Sequence, residues 1–129
     1  MSKVLIIDDD ADTAEGMQLM FARRGHDATA IEDGWRALMW LSEAAVAPDV
    51  IVLDWLMPKL DGGHVLRAIR AEPGLAGVPV VVFSAAPDRV AEAIAGGASA
   101  YVVKGSMNWS TFARKVEGLL GRNPPAELN

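Results

Sequence analysis

Five residues stand where their types could do chemistry together: Asp8 and Asp9, then Asp54, Ser84 and Lys104. Each closes a short apolar run, at 4–7, 50–53, 78–83 and 100–103. Runs of that kind read as strands buried on both faces, and a charge at the end of one solves no packing problem. Three carboxylates gathered in one place repel, and a divalent cation is the usual way to keep them ionised. Oxygen-only ligands without His or Cys suit Mg2+, which also keeps positions open for phosphate oxygens. Lys104 would add a point charge and Ser84 a hydroxyl donor, so a phosphoryl group could be neutralised there. Asp54 would then be the nucleophile, since phosphoryl transfer needs mainly positioning and charge neutralisation.

The elements that must position these residues alternate two periods. Thr13, Met17, Met20 and Phe21 fall at helical spacing after the first strand, with Gly25 as a stop. A weaker strand at 27–31 precedes Asp33 and Gly34, a turn or cap, and a helix through Ala37, Leu38 and Leu41 that ends before Pro48. After Asp54 the chain leaves the third strand by a loop with Met57, Pro58, Asp61, Gly62 and Gly63. Val65, Leu66 and Ile69 mark a third helix stopped by Pro73 and Gly74, and Val90 and Ile94 a short fourth one ending at Gly96 and Gly97. Phe112, Val116, Leu119 and Leu120 predict the inward face of a last helix, capped by Asn108 and stopped by Gly121. Five strands alternating with five helices predict an α/β fold with a parallel sheet covered on both faces. Such a sheet gathers its strand ends at one edge, and that is where open α/β sheets hold ligands.

Composition bounds the chemistry. The 129 residues, 51% hydrophobic, suffice for one core and predict one domain over 1–121, with a disordered tail at 122–129 that carries Pro124 and Pro125. A net charge of -5, with no basic cluster larger than Arg23 Arg24 or Arg114 Lys115, argues against direct nucleic-acid or anionic membrane binding. The absence of cysteine excludes a thiolate metal site, a Cys nucleophile and a disulfide framework. Neither a signal peptide nor a membrane-spanning run is legible, which makes a cytoplasmic protein the expectation.

In this order, the motifs DD at 8–9, DWLMPKLDGG from Asp54, FSA from Phe83 and GASAYVVK ending at Lys104 resemble the receiver domain of two-component response regulators. The resemblance covers 3 to about 121 and implies a flavodoxin-like, doubly wound (βα)5 sheet of order 2-1-3-4-5. It implies Asp54 as phosphoacceptor, and Mg2+ held by Asp9 and Asp54 directly, by Asp8 through water and by the backbone carbonyl of Leu56. Ser84, Lys104 and the backbone of Ala85 would bind the phosphoryl oxygens. Ser84 and Tyr101 would be the switch residues, Tyr101 rotating inward to alter the surface of the fourth helix, fifth strand and fifth helix. The expected partners are a sensor histidine kinase or histidine phosphotransfer protein and a downstream protein, with a homodimer allowed. With no output domain in view, the signal would leave by protein contact; the alternative is a fragment of a larger regulator or hybrid kinase, since the proline-bearing tail resembles the start of a linker. The chain departs from the family at Gly105, where the usual residue is a proline that aims the lysine, and Trp109 is unusual in the loop that follows.

Other readings weigh less. Asp8, Asp9, Asp10 and Asp12 could simply complement a helix N-terminus. An EF-hand fails, because Thr13 and Leu19 stand where Gly and Glu are needed. A haloacid-dehalogenase-like phosphatase with Asp8 as nucleophile and Asp10 as acid/base would need a further acidic pair that does not follow Lys104. A receiver-fold module that binds partners without phosphorylation finds its one support in Gly105. His26 and His64 are expected to face solvent without catalytic roles, and one or both of Trp35 and Trp40 to be exposed and mark a contact patch.

Overall fold

The strand β3 (Val50–Leu53) is wholly enclosed because its pleat sends alternate side chains into two separate cores. Ile51 and Leu53 join one cluster, and Val50 and Val52 the other. An unbroken apolar run is what a doubly covered strand requires. The computed structural model describes residues 2–120. Around β3 it orders β1 (Lys3–Ile7), α1 (Ala11–Arg23), β2 (Asp27–Ile31), α2 (Gly34–Glu43), α3 (Gly62–Ala71), β4 (Val80–Ser84), α4 (Val90–Ala95), β5 (Ala100–Val103) and α5 (Trp109–Glu117). All strands are parallel, in the order β2-β1-β3-β4-β5. This is the doubly wound, flavodoxin-like sheet that the resemblance implied.

Each core has its own helices. Met17 and Phe21 of α1 and Phe112 and Val116 of α5 pack on Val4, Ile6, Val81 and Val102. Ala37 and Leu41 of α2, Val65, Leu66 and Ile69 of α3 and Ala93 of α4 cover the opposite face with Leu5, Ile7, Val80 and Val82. Four helices start from a side-chain cap that satisfies an orphan N–H: Asp10 for α1, Asp33 for α2, Asp61 for α3 and Asn108 for α5. Asp33 and Asn108 act as the sequence indicates.

Several boundaries differ from expectation for local reasons. β4 begins at Val80 rather than Val78, because Pro79 has no N–H to offer the ladder and the Val78 carbonyl accepts from Arg70 Nη1 at 2.7 Å. α5 ends at Glu117, where the N–H of Gly118 closes on the Arg114 carbonyl. Leu119 and Leu120 therefore lie beyond the helix, although both still pack on the α1/α5 side of the core. Gly121 and the tail at 122–129 lie outside the described residues. The apolar pair that marks α4, Val90 and Ile94, faces outward, and Ala93 alone is buried there.

His26 does not face solvent. Gly25, at φ +91°, turns the chain back after α1 and tucks the ring against Phe21, its Nε2 2.9 Å from Glu117 Oε2. Arg24 grips the same carboxylate with two nitrogens, at 2.7 and 2.8 Å. This clasp joins the end of α1 to the end of α5. His64 is exposed as expected and pairs with Asp61.

Candidate functional site

Register places the site. Ile7 pairs with Leu53, so Asp8 and Asp54 emerge side by side, and the ladder runs one step further through the Asp54 N–H to the Ile7 carbonyl at 2.8 Å. Ser84 pairs with Val103, and the Lys104 N–H donates to the Ser84 carbonyl at 2.8 Å. All four strand ends identified in the sequence thus meet at the carboxyl edge of the sheet.

The carboxylates of Asp8, Asp9 and Asp54 each present an oxygen within 4.8 Å of the other two. Asp8 and Asp54 are buried and Asp9 is exposed, so the cluster is a recess with one open side. Lys104 Nζ lies 3.1 Å from Asp8 Oδ2 and 3.4 Å from Asp54 Oδ2. The Asp8 contact lies off the line of a hydrogen bond, which leaves Oδ2 a buried acceptor without a donor among the described residues. Oδ1 accepts from the Asp10 N–H at 2.9 Å. Asp10 itself turns away: its carboxylate accepts from the Thr13 hydroxyl and the Asp12 N–H as the cap of α1. The acidic run therefore divides, with Asp8 and Asp9 given to the site and Asp10 to the helix.

Electrostatics follow from that crowding. Burial, and then the charge of Asp8, push the Asp54 carboxyl up to about 7 in spite of Lys104. Burial alone would lower Lys104, but Asp54 and Asp8 outweigh it and hold the ammonium above its usual range. One cation faces two buried anions and a third at the rim. The donor set is all oxygen, negatively charged and short of a cation, so it fits a hard divalent ion such as Mg2+.

The polar residues beyond the carboxylates form a second group. Ser84 is fully buried, and its Oγ accepts from the Ala86 N–H at 3.2 Å. The Tyr101 hydroxyl already donates to the Ala86 carbonyl. Ala86 therefore joins the two switch candidates through the two ends of one residue, a link that no sequence signal marks. Leu56 and Ala85 occupy the loops that leave β3 and β4, both with exposed side chains.

Two further residues shape the site without appearing as candidates in the sequence. A Cβ on Gly62 would come 2.6 Å from the Asp54 carbonyl oxygen and 2.7 Å from Trp55 Cα, so α3 can start directly behind Asp54 only from a glycine. Phe83 lies under the Lys104 ammonium, 5.6 Å from Nζ to the ring centroid, and helps to hold it. Gly105 takes φ +86°, a conformation closed to proline, and Lys104 nevertheless reaches both carboxylates. Trp109 packs on Phe83 and Phe112 at 5.9 and 6.0 Å and remains 45% exposed, at the border between core and surface.

A five-stranded parallel sheet with an acid cluster, a hydroxyl and a lysine at its carboxyl edge is the arrangement of a receiver-type signalling domain. The family model of the response regulator receiver domain matches residues 4–111, and the chain belongs to that family. The DNA-binding response regulator MtrA of Mycobacterium tuberculosis is 35% identical over 131 aligned positions, which cover 98% of this chain and 54% of that protein. The chain thus spans about half the length of this curated relative. Among solved structures, the receiver domain of Francisella response regulator 1452 superposes with a TM-score of 0.83 at 31% identity, covering 95% of this chain and 98% of the other. The response regulator TrrA of Thermotoga maritima, in complex with Mg2+ and BeF, gives 0.82 at 26% identity, over 93% and 100%.

Proposed function

We propose that Asp54 accepts a phosphoryl group from a phosphohistidine on a sensor kinase or phosphotransfer protein. The observation that carries this reading is one ammonium, Lys104, held between two buried carboxylates from different strands, with a third carboxylate at the rim. A carboxylate oxygen of Asp54 forms the bond to phosphorus as the phosphorus–nitrogen bond breaks. The donor imidazole, protonated on its other nitrogen, takes the electron pair and leaves neutral.

Asp8, Asp9, Asp54 and the Leu56 carbonyl would hold Mg2+, whose charge would neutralise the phosphoryl oxygens. The complex of TrrA with Mg2+ and BeF supports that assignment by similarity. Lys104 turns its ammonium to the incoming group, the Ala85 backbone and the Ser84 hydroxyl bind phosphoryl oxygens, and the enclosing walls keep water low around the acyl phosphate. When Ser84 turns to the phosphoryl group it releases the Ala86 N–H. That movement reaches Tyr101 through the Ala86 carbonyl and changes the surface of α4, β5 and α5. A downstream protein reads that surface. No helix among the described residues is long and apolar enough to cross a membrane, which accords with a cytoplasmic setting.

Intact mass with acetyl phosphate and Mg2+ tests the reading. A single phosphoryl adduct that is lost with a chelator and in Asp54→Asn is the expected result, and an adduct that survives Asp54→Asn overturns it. Beryllofluoride binding, read by the fluorescence of Trp55 beside the acceptor, covers the case in which small donors do not serve. A second reading, partner binding independent of phosphate, draws on Tyr101 being already tied to Ala86. Unchanged partner binding by Asp54→Asn would favour it. Asp8, closed from solvent and facing Lys104, gives the phosphatase reading no support.

A further inference from the structure

The helix α2 has an apolar face that its own domain does not use. Ala37 and Leu41 are buried against the sheet, yet on the opposite side Trp35 is 60% and Met39 62% exposed. At 100° per residue, Met39 sits at the centre of this outer face. Trp35 and Ser42 lie on one flank, and Arg36 and Glu43 on the other. Arg36, Met39 and Glu43 line one shallow groove of about 380 Å³ together with Trp40 and with Ala30, Ile31 and Glu32 at the end of β2.

The charges on this face are placed against their own helix. Arg36 stands in the first turn, beside the positive end of the helix dipole, and Glu43 is the last residue, at the negative end. Neither forms an ion pair among the described residues. An antiparallel helix laid on this face with its own acid and base reversed would correct both placements.

We infer that the occupant is a second copy of this chain, docked by α2 against α2 about a two-fold axis through Met39. A two-fold axis across the helix reverses its direction and keeps each flank facing the same flank of the partner. Arg36 then meets Glu43 of the second copy twice, and each Trp35 lies over the small Ser42. The two Met39 side chains touch at the axis. The pairing works because 36 and 43, like 35 and 42, are spaced almost symmetrically about 39. The exposed apolar area of Trp35 and Met39 is roughly 300 Å², below the ~800 Å² that a standard interface buries per partner, so the dimer is reversible and forms as concentration rises. α2 lies toward the β2 edge of the sheet, so the association leaves α4, β5 and α5 free for output.

Sedimentation velocity over a range from about 10 to 500 µM tests the inference, with roughly tenfold or greater weakening expected for each lost ion-pair arrangement. The wild-type chain is expected to shift from monomer to dimer across the series. Met39→Asp should abolish the shift, Arg36→Glu and Glu43→Arg should each weaken it, and the double charge swap should restore it. Because the chain has no cysteine, Met39→Cys under oxidation gives an independent readout: a covalent dimer that Leu56→Cys does not form. A wild-type chain that stays monomeric throughout, a dimer that survives Met39→Asp, or a charge swap that fails to rescue overturns the inference.

Discussion

Two ionic clusters sit at opposite edges of the sheet, and they are built in opposite proportion. At the carboxyl edge one cation, Lys104, serves the buried carboxylates of Asp8 and Asp54. At the amino edge one carboxylate, Glu117, is shared by Arg24 and His26. At the first, burial and then the charge of Asp8 lift the Asp54 carboxyl to about 7. At the second, the hydrogen bonds of Arg24, against slight desolvation and with help from His26, hold Glu117 at about 2. The charges of the clasp are paired as they stand, although His26 Nδ1 is a buried nitrogen without a hydrogen-bond partner among the described residues, and the clasp belongs to stability. The site is left in tension, which a cation bound there would relieve.

The comparison breaks most sharply at Asp54. Asp54→Asn should remove the phosphoryl adduct entirely and yet stabilise the protein in chelator. The sign follows from linkage: the folded carboxyl lies at about 7 against 3.8 for the free group, so its contribution is most favourable below 3.8 and is lost as pH rises toward 7. Denaturant titration should show a gain of roughly 2 kcal/mol at pH 8 and less at pH 5. Lys104→Met moves the other way. With two buried carboxylates left uncompensated, it should cost roughly 2–3 kcal/mol at pH 8, with a smaller deficit at pH 5, where Asp54 is protonated.

Glu117→Gln probes the charge-paired cluster. It should lose about 1–2 kcal/mol at pH 7 and leave adduct formation unchanged. The Glu117 carboxyl is depressed from 4.5 to about 2, so its contribution is present above 4.5. The difference between variant and wild type should fade as pH falls from 4.5 to about 2. The smallest effect belongs to Gly105→Ala. A Cβ there meets nothing within 4 Å, so only the φ of +86° matters, and thermal unfolding should report a cost of about 1 kcal/mol.

The two clusters were not equally legible in the chain. Asp54 and Lys104 announce themselves because each ends an apolar run, and parallel topology then brings such ends together whatever the loops do. Glu117 and His26 are separated by 91 positions and carry no local sign of each other. His26 reads as solvent-facing because the turn at Gly25 that buries it is a tertiary fact. α2 and α5 were recognisable from periodicity and cap, yet the end of α5 was overrun, since Leu119 and Leu120 keep an apolar pattern after the helix has stopped. Ala86 was invisible, because its role uses only backbone atoms, and those carry no side-chain signature.

α4 carries a last consequence. It has six residues, no side-chain cap and a single buried side chain, that of Ala93, whereas α3 holds Val65, Leu66 and Ile69 in the core. Withdrawing one methyl group from the interior costs about 1 kcal/mol, close to thermal energy. α4 is thus lightly anchored: its amides should exchange with deuterated solvent well before those of α3, and the work needed to reposition it is of the size of a single hydrogen bond.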